Sequence, residues 1–527
     1  MKAIKQDLIL GIDVGTSSVK AGLFDRAGAL HGTGRARLPL LLPQDGWAEQ
    51  QPTMLWQGVA DAVQDLLQHS GVPGQRIAAL GVTAQTCGCI PVDEHGEALH
   101  NGLIWLDTRS TPQAQQLMGG FPSFKGYGAR QLLRWLYYTN GAPNLSGKDA
   151  LTKMLWFREQ YPELQSSTQH FLDIKDYLLL RLCGRVATTY DCAHLTWLMD
   201  NRPGRWDWSP QLLRHTGLDR ALLPELVSGT EILGALKDGP ATELGLPADL
   251  PVVAGASDVY ATALGSGAVD PGQAHLYLGT SSWSGVPALR RRIDPASGIA
   301  TLCGIEPGSY LLLAAQETAG GCVEWACEQL GLSHRSTPDR PSFDDLASRA
   351  PVGSKGLLFL PWLMGERVPA DDTRLRGGYL NLSLSHGRAE LTRAVLEGVA
   401  CNIRWAFDRL AQLARPLQGT VKLVGGGASS DLWSQILADT LGRPLERTIH
   451  PNQAGARGVA MTAAVAIGWY PSLAAAAAMC PTDRVFEPAP QSHRIMDQQY
   501  ANFLTAYKQL RPWYRRRHDV EPMAKRQ

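Results

Sequence analysis

Two aspartates stand where an apolar run gives way to small, polar residues. Asp13 lies between Leu8-Ile9-Leu10-Gly11-Ile12 and Val14-Gly15-Thr16-Ser17-Ser18. Glycine lets backbone N–H groups approach an anion closely, and threonine and serine add hydroxyl donors. Such a turn suits phosphate oxygens. A carboxylate beside phosphate is repulsive unless a divalent cation lies between them, so Asp13 reads as a magnesium-side ligand, directly or through water. A hairpin turn with an Asx cap explains the same residues. Asp258 follows Val252-Val253-Ala254-Gly255-Ala256-Ser257 and leads into a helix expected over 259–265. A carboxylate there suits a general base that deprotonates a hydroxyl attacking a terminal phosphate, with the helix dipole keeping it ionised. A plain helix N-cap is the alternative.

A third constellation is Trp105-Leu106-Asp107-Thr108-Arg109. In an extended stretch the aromatic ring, the carboxylate and the guanidinium face one side. A ring beside a hydrogen-bonding acid can hold a polyol. Gln85 and Thr86 follow the strand expected over 77–82 and are placed to line the same pocket. A core tryptophan with a surface Asp–Arg pair is the competing reading. No turn has the GxxxxGK[ST] spacing of a Walker A loop, which disfavours an ordinary P-loop enzyme.

The elements that must position these residues alternate between strand and helix, which predicts an α/β fold. Strands are expected over 8–12, 19–24, 77–82, 275–278 and 421–424, and helices over 54–69, 151–158, 174–182 and 432–440. Gly-Thr-Ser-Ser occurs at 15–18 and again at 279–282, each time after an apolar strand. Four residues are weak evidence of a repeat, but the shared context favours a duplicated fold. A third strand and Gly/Ser turn, with its helix, spans 421–440. Pro247–Pro251 reads as a crossover into a new domain, giving domains over 1–250 and 251–475 and a helical tail over 476–527. Its end, Lys508–Gln527 with Arg515-Arg516-Arg517, reads as a solvated end rather than a nucleic-acid arm.

The 527 residues are too many for one core. Fifty basic and 49 acidic residues leave a net charge of +1, which argues against a polyanion-binding protein. Nine cysteines are too sparse for a disulfide scaffold and read as buried free thiols in a reducing compartment. The start has too short an apolar run for a signal peptide, and Pro471 and Pro481 bracket the alanine run too tightly for a membrane span. A cytoplasmic protein with no nucleic-acid or membrane partner is expected.

In combination, several segments resemble the FGGY carbohydrate kinases, and within them the xylulokinase and pentulose-kinase branch. They are GIDVGTSSVKAGLFD at Gly11–Asp25, WLDTR at Trp105–Arg109, AGASDVYATALGSG at Ala254–Gly267 and YLGTSSW at Tyr277–Trp283. AGG at Ala319–Gly321, PWLMGERVPADDTRLRGGYLNLSLSH at Pro361–His386 and VKLVGGGASSDLWSQILADTLGRP at Val421–Pro444 complete the set. The resemblance implies two actin-like, ribonuclease-H-like domains around a cleft, with sugar mostly on the first and ATP mostly on the second. It implies phosphorylation of a ketose or polyol hydroxyl by ATP and Mg2+, with xylulose or a related pentulose as acceptor. Asp258 resembles the family's base, and Asp13 the acid near magnesium. Thr16, Ser17 and Thr280 match the paired phosphate turns, and Lys20 is grouped with them. Gly320, Gly426, Gly427 and Ser430 resemble nucleotide-side positions. Trp105 and Asp107, with Gln85, Thr86 and Cys87, resemble the sugar side.

Two departures stand out. Xylulokinases usually carry Met-His after the glutamine, where this chain has Thr86-Cys87; a cysteine is only a weak donor to a sugar oxygen. That keeps other ketoses, pentitols and glycerol-like polyols open as acceptors, with a non-kinase actin-like ATP-binding protein as the more distant alternative. Gln453-Ala454-Gly455-Ala456-Arg457-Gly458 lacks the acidic residue expected at its head. Homodimers are common in such enzymes, and nothing in the composition marks an interface.

Overall fold

The computed structural model describes residues 6–334 and 341–524, with side chains described up to Arg516. Two mixed sheets organise the chain. The first runs, in spatial order, Ile232–Ala235, Pro251–Ser257, Ile77–Ala84, Leu8–Val14, Ser18–Phe24, Leu30–Arg37. Its central strands are apolar on both faces, as strands covered by helices on both sides must be. The helix Pro52–Ser70 covers one face. Proline opens it, Gly71 ends it at φ 64°, and Leu55, Val59, Val63 and Leu66 line its buried stripe.

The second sheet runs Ile293–Asp294, Ile299–Cys303, Tyr310–Gln316, Ser282–Ala288, Gln273–Leu278, Gln418–Val424, Leu445–Thr448, Thr482–Phe486. Starting from Tyr310–Gln316, its six last strands repeat the first sheet's pairing read from Leu30–Arg37: antiparallel, antiparallel, parallel, parallel, antiparallel. Both Gly-Thr-Ser-Ser turns join the equivalent hairpin, so the fold is duplicated. Between strands of the first sheet, a largely helical insertion builds its own core around Trp135, Leu151, Trp156 and Trp208.

The expected boundary at 250/251 cuts the first sheet. Pro251–Ser257 pairs in parallel with Ile77–Ala84, Val252 opposite Leu80 and Ser257 opposite Ala84. An apolar strand does not declare its partner; only the hydrogen-bond register does. Nor does 251–475 form one body. The helix Ala454–Ala466 lays Ala456, Ala460, Ala463 and Ala464 against Ile9, Phe24, Ala79 and Val253 of the first sheet.

That helix crosses Asp258–Ser266, each following the last parallel strand of its own sheet. The crossing is symmetric. A Cβ on Gly265 would lie 1.9 Å from the Ala454 carbonyl oxygen, and one on Gly458 would lie 1.8 Å from that of Ala261. Only glycine lets two helix backbones approach so closely.

The expected helical tail over 476–527 is also corrected, and within its end expected to be solvated, 508–527, Tyr514 is buried. Thr482–Phe486 is an edge strand of the second sheet, and the helix Pro490–Ala524 buries Met496, Phe503 and Tyr514 beside Trp362. Tyr500, Leu504, Tyr507 and Leu510 pack beside them, so the docked face carries apolar residues at ordinary helical spacing, interleaved with polar and charged ones. Arg515 and Arg516 are exposed; the Arg517 side chain and residues 525–527 lie outside the described residues.

All nine cysteines are free, and six are buried. Among the described residues no helix is long and apolar enough to cross a membrane.

Candidate active site

The two halves face each other across a cavity of about 1060 Å³. Asp13, Thr16, Ser17, Lys20, Gln85, Thr86, Cys87, Trp105 and Asp258 line it from the first half. Thr280, Gly320, Gly426, Gly427 and Ser430 line it from the second. Of the sequence-predicted site residues, only Asp107 does not.

Asp258 is the first residue of its helix. The N-cap belongs to Ser257, whose Oγ accepts from the Tyr260 N–H at 3.3 Å, so Asp258 is not the cap. Its Oδ1 accepts from the Val259 N–H at 2.8 Å. Burial pushes its carboxyl up to about 7, and the neighbouring Asp13 charge adds to the shift. This corrects the expectation that the helix dipole keeps Asp258 ionised: desolvation and a like charge outweigh one turn of aligned peptides. Near neutral pH the group therefore exchanges a proton readily. The backbone N–H of Ser257 is held in turn by Asp191 Oδ2 at 2.7 Å.

Asp13 lies within its strand, opposite Lys20, so the polar turn is shorter than expected and starts at Gly15. Burial raises its carboxyl, and Lys20 partly offsets that. A Cβ on Gly455 would stand 2.6 Å from Asp13 Oδ2, so the N-terminus of the Ala454–Ala466 helix faces this carboxylate.

The first turn is wired to Gln50, Gln85 and Trp105. Thr16 Oγ1 donates to Gln85 Oε1 at 3.0 Å and accepts from Trp105 Nε1 at 2.9 Å. Gln85 Nε2 donates to Gln50 Oε1 at 2.7 Å, and Gln50 Nε2 to the Thr16 carbonyl at 2.8 Å. Cys87 adopts φ 62°, the left-handed region, and burial pushes its thiol up to about 12, so it faces the cleft as a neutral group.

Asp107 is fully buried away from the cleft. Its carboxylate accepts from the Ala48 N–H at 2.7 Å and from Arg109 Nε at 2.9 Å. Arg109 also pairs with Glu49 at 2.7 Å and lies over Trp47, 3.6 Å from the ring centre. Asp107 and Arg109 thus form a buried ion-pair network behind Trp105. The expected shared face fails because residues 103–109 turn rather than extend: the Asp107 N–H donates to the Ile104 carbonyl.

In the second half, the Ala319 and Gly321 N–H groups donate to the Thr280 carbonyl at 2.8 and 3.0 Å. A Cβ on Gly320 would stand 2.5 Å from the Gly279 carbonyl oxygen, so the Gly320–Leu330 helix seats directly on the turn. Gly426 has open space where a Cβ would be, leaving its backbone accessible. Ser430 Oγ caps the next helix by accepting from the Trp433 N–H at 3.0 Å.

Sequence reasoning missed several lining residues. Glu317 and Arg367 of the second half pair at 3.0 Å, and Glu317 also meets Lys148 of the first half at 3.6 Å. Burial opposes the Glu317 charge, but Arg367 and Lys148 outweigh it and hold the carboxyl below its usual range. Asp149 accepts from Trp197 Nε1 at 2.9 Å. A charged pair at a helix start, Lys148-Asp149, and Glu366-Arg367 within a loop were the available signals.

A duplicated sheet pair, two phosphate-type turns facing across a cleft and paired carboxylates on its floor define a two-domain phosphotransfer enzyme of the actin-like class. Models of the FGGY family of carbohydrate kinases match the chain, the N-terminal domain over residues 8–265 and the C-terminal domain over 274–467. The chain belongs to that family and is an ATP-dependent sugar kinase. It is 31% identical to a xylulose kinase of Escherichia coli (strain K12), covering 96% of this chain and 99% of the relative. It is 30% identical to the L-xylulose/3-keto-L-gulonate kinase of the same organism, over 88% of each chain. The ligand-bound xylulose kinase of Lactobacillus acidophilus superposes with a TM-score of 0.83 at 25% identity, covering 97% of this chain and 99% of that one.

Proposed function

We propose that the protein transfers the terminal phosphate of ATP to a primary hydroxyl of a ketopentose, xylulose or a related pentulose. The observation that carries this reading is Asp258: a carboxylate raised to about 7, on the floor of the cleft between the two phosphate-type turns. Asp258 accepts the proton of the attacking hydroxyl, and the Ser257–Asp191 bond holds its backbone in place. Thr16, Gln85, Thr86, Cys87 and Trp105 form the acceptor side. Ser17, Lys20 and Thr280 face the phosphates, and Gly320, Gly426, Gly427 and Ser430 the nucleoside. Asp107 holds the Ala48 N–H and Arg109 away from the cleft and takes no part in binding.

Magnesium fits the donor chemistry, since Asp13 offers a hard oxygen toward the phosphate turn. Among the described residues no cluster of three or more His, Cys, Asp or Glu could hold an ion, so phosphate oxygens and water would complete its shell. When bound, the ion offsets the charge that develops on the transferred phosphate.

Relatives of similar identity act on xylulose, and this supports a pentulose acceptor. A second reading, another ketose or polyol, is favoured by the neutral Cys87 thiol at the acceptor side. An ATP-consumption screen over ketopentoses, ketohexoses, polyols and glycerol tests both. The highest kcat/KM is expected for a ketopentose; no consumption above the acceptor-free rate refutes the kinase reading.

A further inference from the structure

We infer that Lys153 and Asp173, neither of which lines the cleft, are positioning residues that clamp the Cys87–Gly88 peptide from its two ends and so set the acceptor side of the cleft. Lys153 Nζ donates to the Cys87 carbonyl at 2.6 Å. Asp173 Oδ1 accepts from the Gly88 N–H, the other end of the same peptide, at 2.9 Å. With both ends held, the peptide plane cannot rotate, and the left-handed Cys87 is fixed with its thiol toward the cleft.

Lys153 holds two further carbonyls, those of Ile104 at 2.8 Å and Lys148 at 2.6 Å. Ile104 immediately precedes Trp105, and Lys148 reaches Glu317 across the cleft. Three acceptors use all three ammonium protons. One side chain thus ties together the segments that carry Cys87, Trp105 and Lys148.

Burial opposes a cation here, and the nearby Asp107 and Asp149 carboxylates offset that only in part. Lys153 is fully buried, and among the described residues no carboxylate lies within ion-pair distance of it. It sits near the N-terminus of the helix Ala150–Gln160, where the dipole disfavours positive charge. Buried lysines are ordinarily paired with an acid. A leucine or methionine would fill the space without these costs but could not hold three carbonyls.

The inference rests on the proposed sugar-kinase reading with the acceptor on this side of the cleft, and wild-type turnover over the sugar panel tests the kinase reading separately. If wild type phosphorylates no sugar of the panel, that reading falls and this inference with it. With an active wild type, Lys153→Met and Asp173→Ala should each raise the acceptor KM at least tenfold while the KM for MgATP stays within twofold. Asp173→Asn keeps an oxygen for the Gly88 N–H and should stay within threefold of wild type. Should Lys153→Met fail to fold, Lys153→Gln and the Asp173 pair decide. Equal changes in both constants, or a fall in thermal stability with the acceptor KM unchanged, would overturn the inference. So would failure of every Lys153 and Asp173 variant to fold.

Discussion

The two Gly-Thr-Ser-Ser turns share four residues and an equivalent hairpin, yet they are built differently. In the first, Val14 pairs with Val19 and the Gly15 N–H donates to the Ser18 carbonyl. In the second, Leu278 pairs with Ser282 and the Gly279 N–H donates to the Ser281 carbonyl, so that turn is one residue tighter. The flanking residues differ more. Two positions before the glycine stands Asp13 in one strand and Tyr277 in the other. Tyr277 stacks on Trp283 with ring centres 3.8 Å apart. The Thr16 hydroxyl is tied to Gln85 and Trp105, whereas the Thr280 carbonyl anchors the start of the Gly320–Leu330 helix. Duplication supplied two similar turns, and their neighbours differ: carboxylates and a hydrogen-bonded Thr–Gln–Trp cluster in the first half, an aromatic and glycine-lined surface in the second.

The sharpest way to break this comparison is at Asp258, which belongs to the first half alone. Asp258→Asn should lower kcat by about 10²–10⁴ and leave the acceptor KM nearly unchanged. A near-wild-type rate would remove Asp258 as the base. Because the base must be ionised and its carboxyl is raised to about 7, kcat/KM should fall about tenfold per pH unit below that value. A flat acid limb down to pH 5 contradicts that role.

Asp13→Asn should weaken the magnesium dependence of turnover by about tenfold or more, since a neutral amide replaces a hard anionic oxygen. The counterpart Tyr277→Phe should leave it as in wild type. Equal effects would erase the asymmetry between the halves.

At the crossing of the two helices, Gly458→Val should cost about 1–3 kcal/mol, because its Cβ meets backbone rather than a movable side chain. Thermal unfolding reads this, and an unchanged Tm would show that the crossing relaxes freely.

The smallest effect expected is a split between the turns. Thr16→Ala should raise the acceptor KM and Thr280→Ala the ATP KM, each by several-fold, about 1 kcal/mol for one hydrogen bond. If both changed the same constant, the assignment of Thr16 to the acceptor and Thr280 to ATP would fail.

Asp13, Asp258 and the turn residues were legible because small polar residues after an apolar strand leave few other conformations, whereas Cys87 was legible only through the family resemblance. Asp107 was misread because alternation predicts a shared face only if the chain is extended, and a local turn breaks it. Lys153, Asp173 and Glu317 were invisible, since the partners that give them their place, apart from the Lys148 carbonyl, lie 49 to 85 residues away or across the cleft. The domain boundary failed for the same reason: Pro251–Ser257 looks like the opening of something new until its register with Ile77–Ala84 is seen.

The sequence by itself determined the α/β class, the positions of the strands that end in chemistry and the residue types those ends present. These are local properties, set by hydrophobic period and turn preference within a few residues. Tertiary structure alone decided which sheet each strand joined, which carboxylate lay near another and which lysine reached three carbonyls. Those outcomes depend on desolvation and on contacts between distant segments, and neither is written in the order of neighbouring residues.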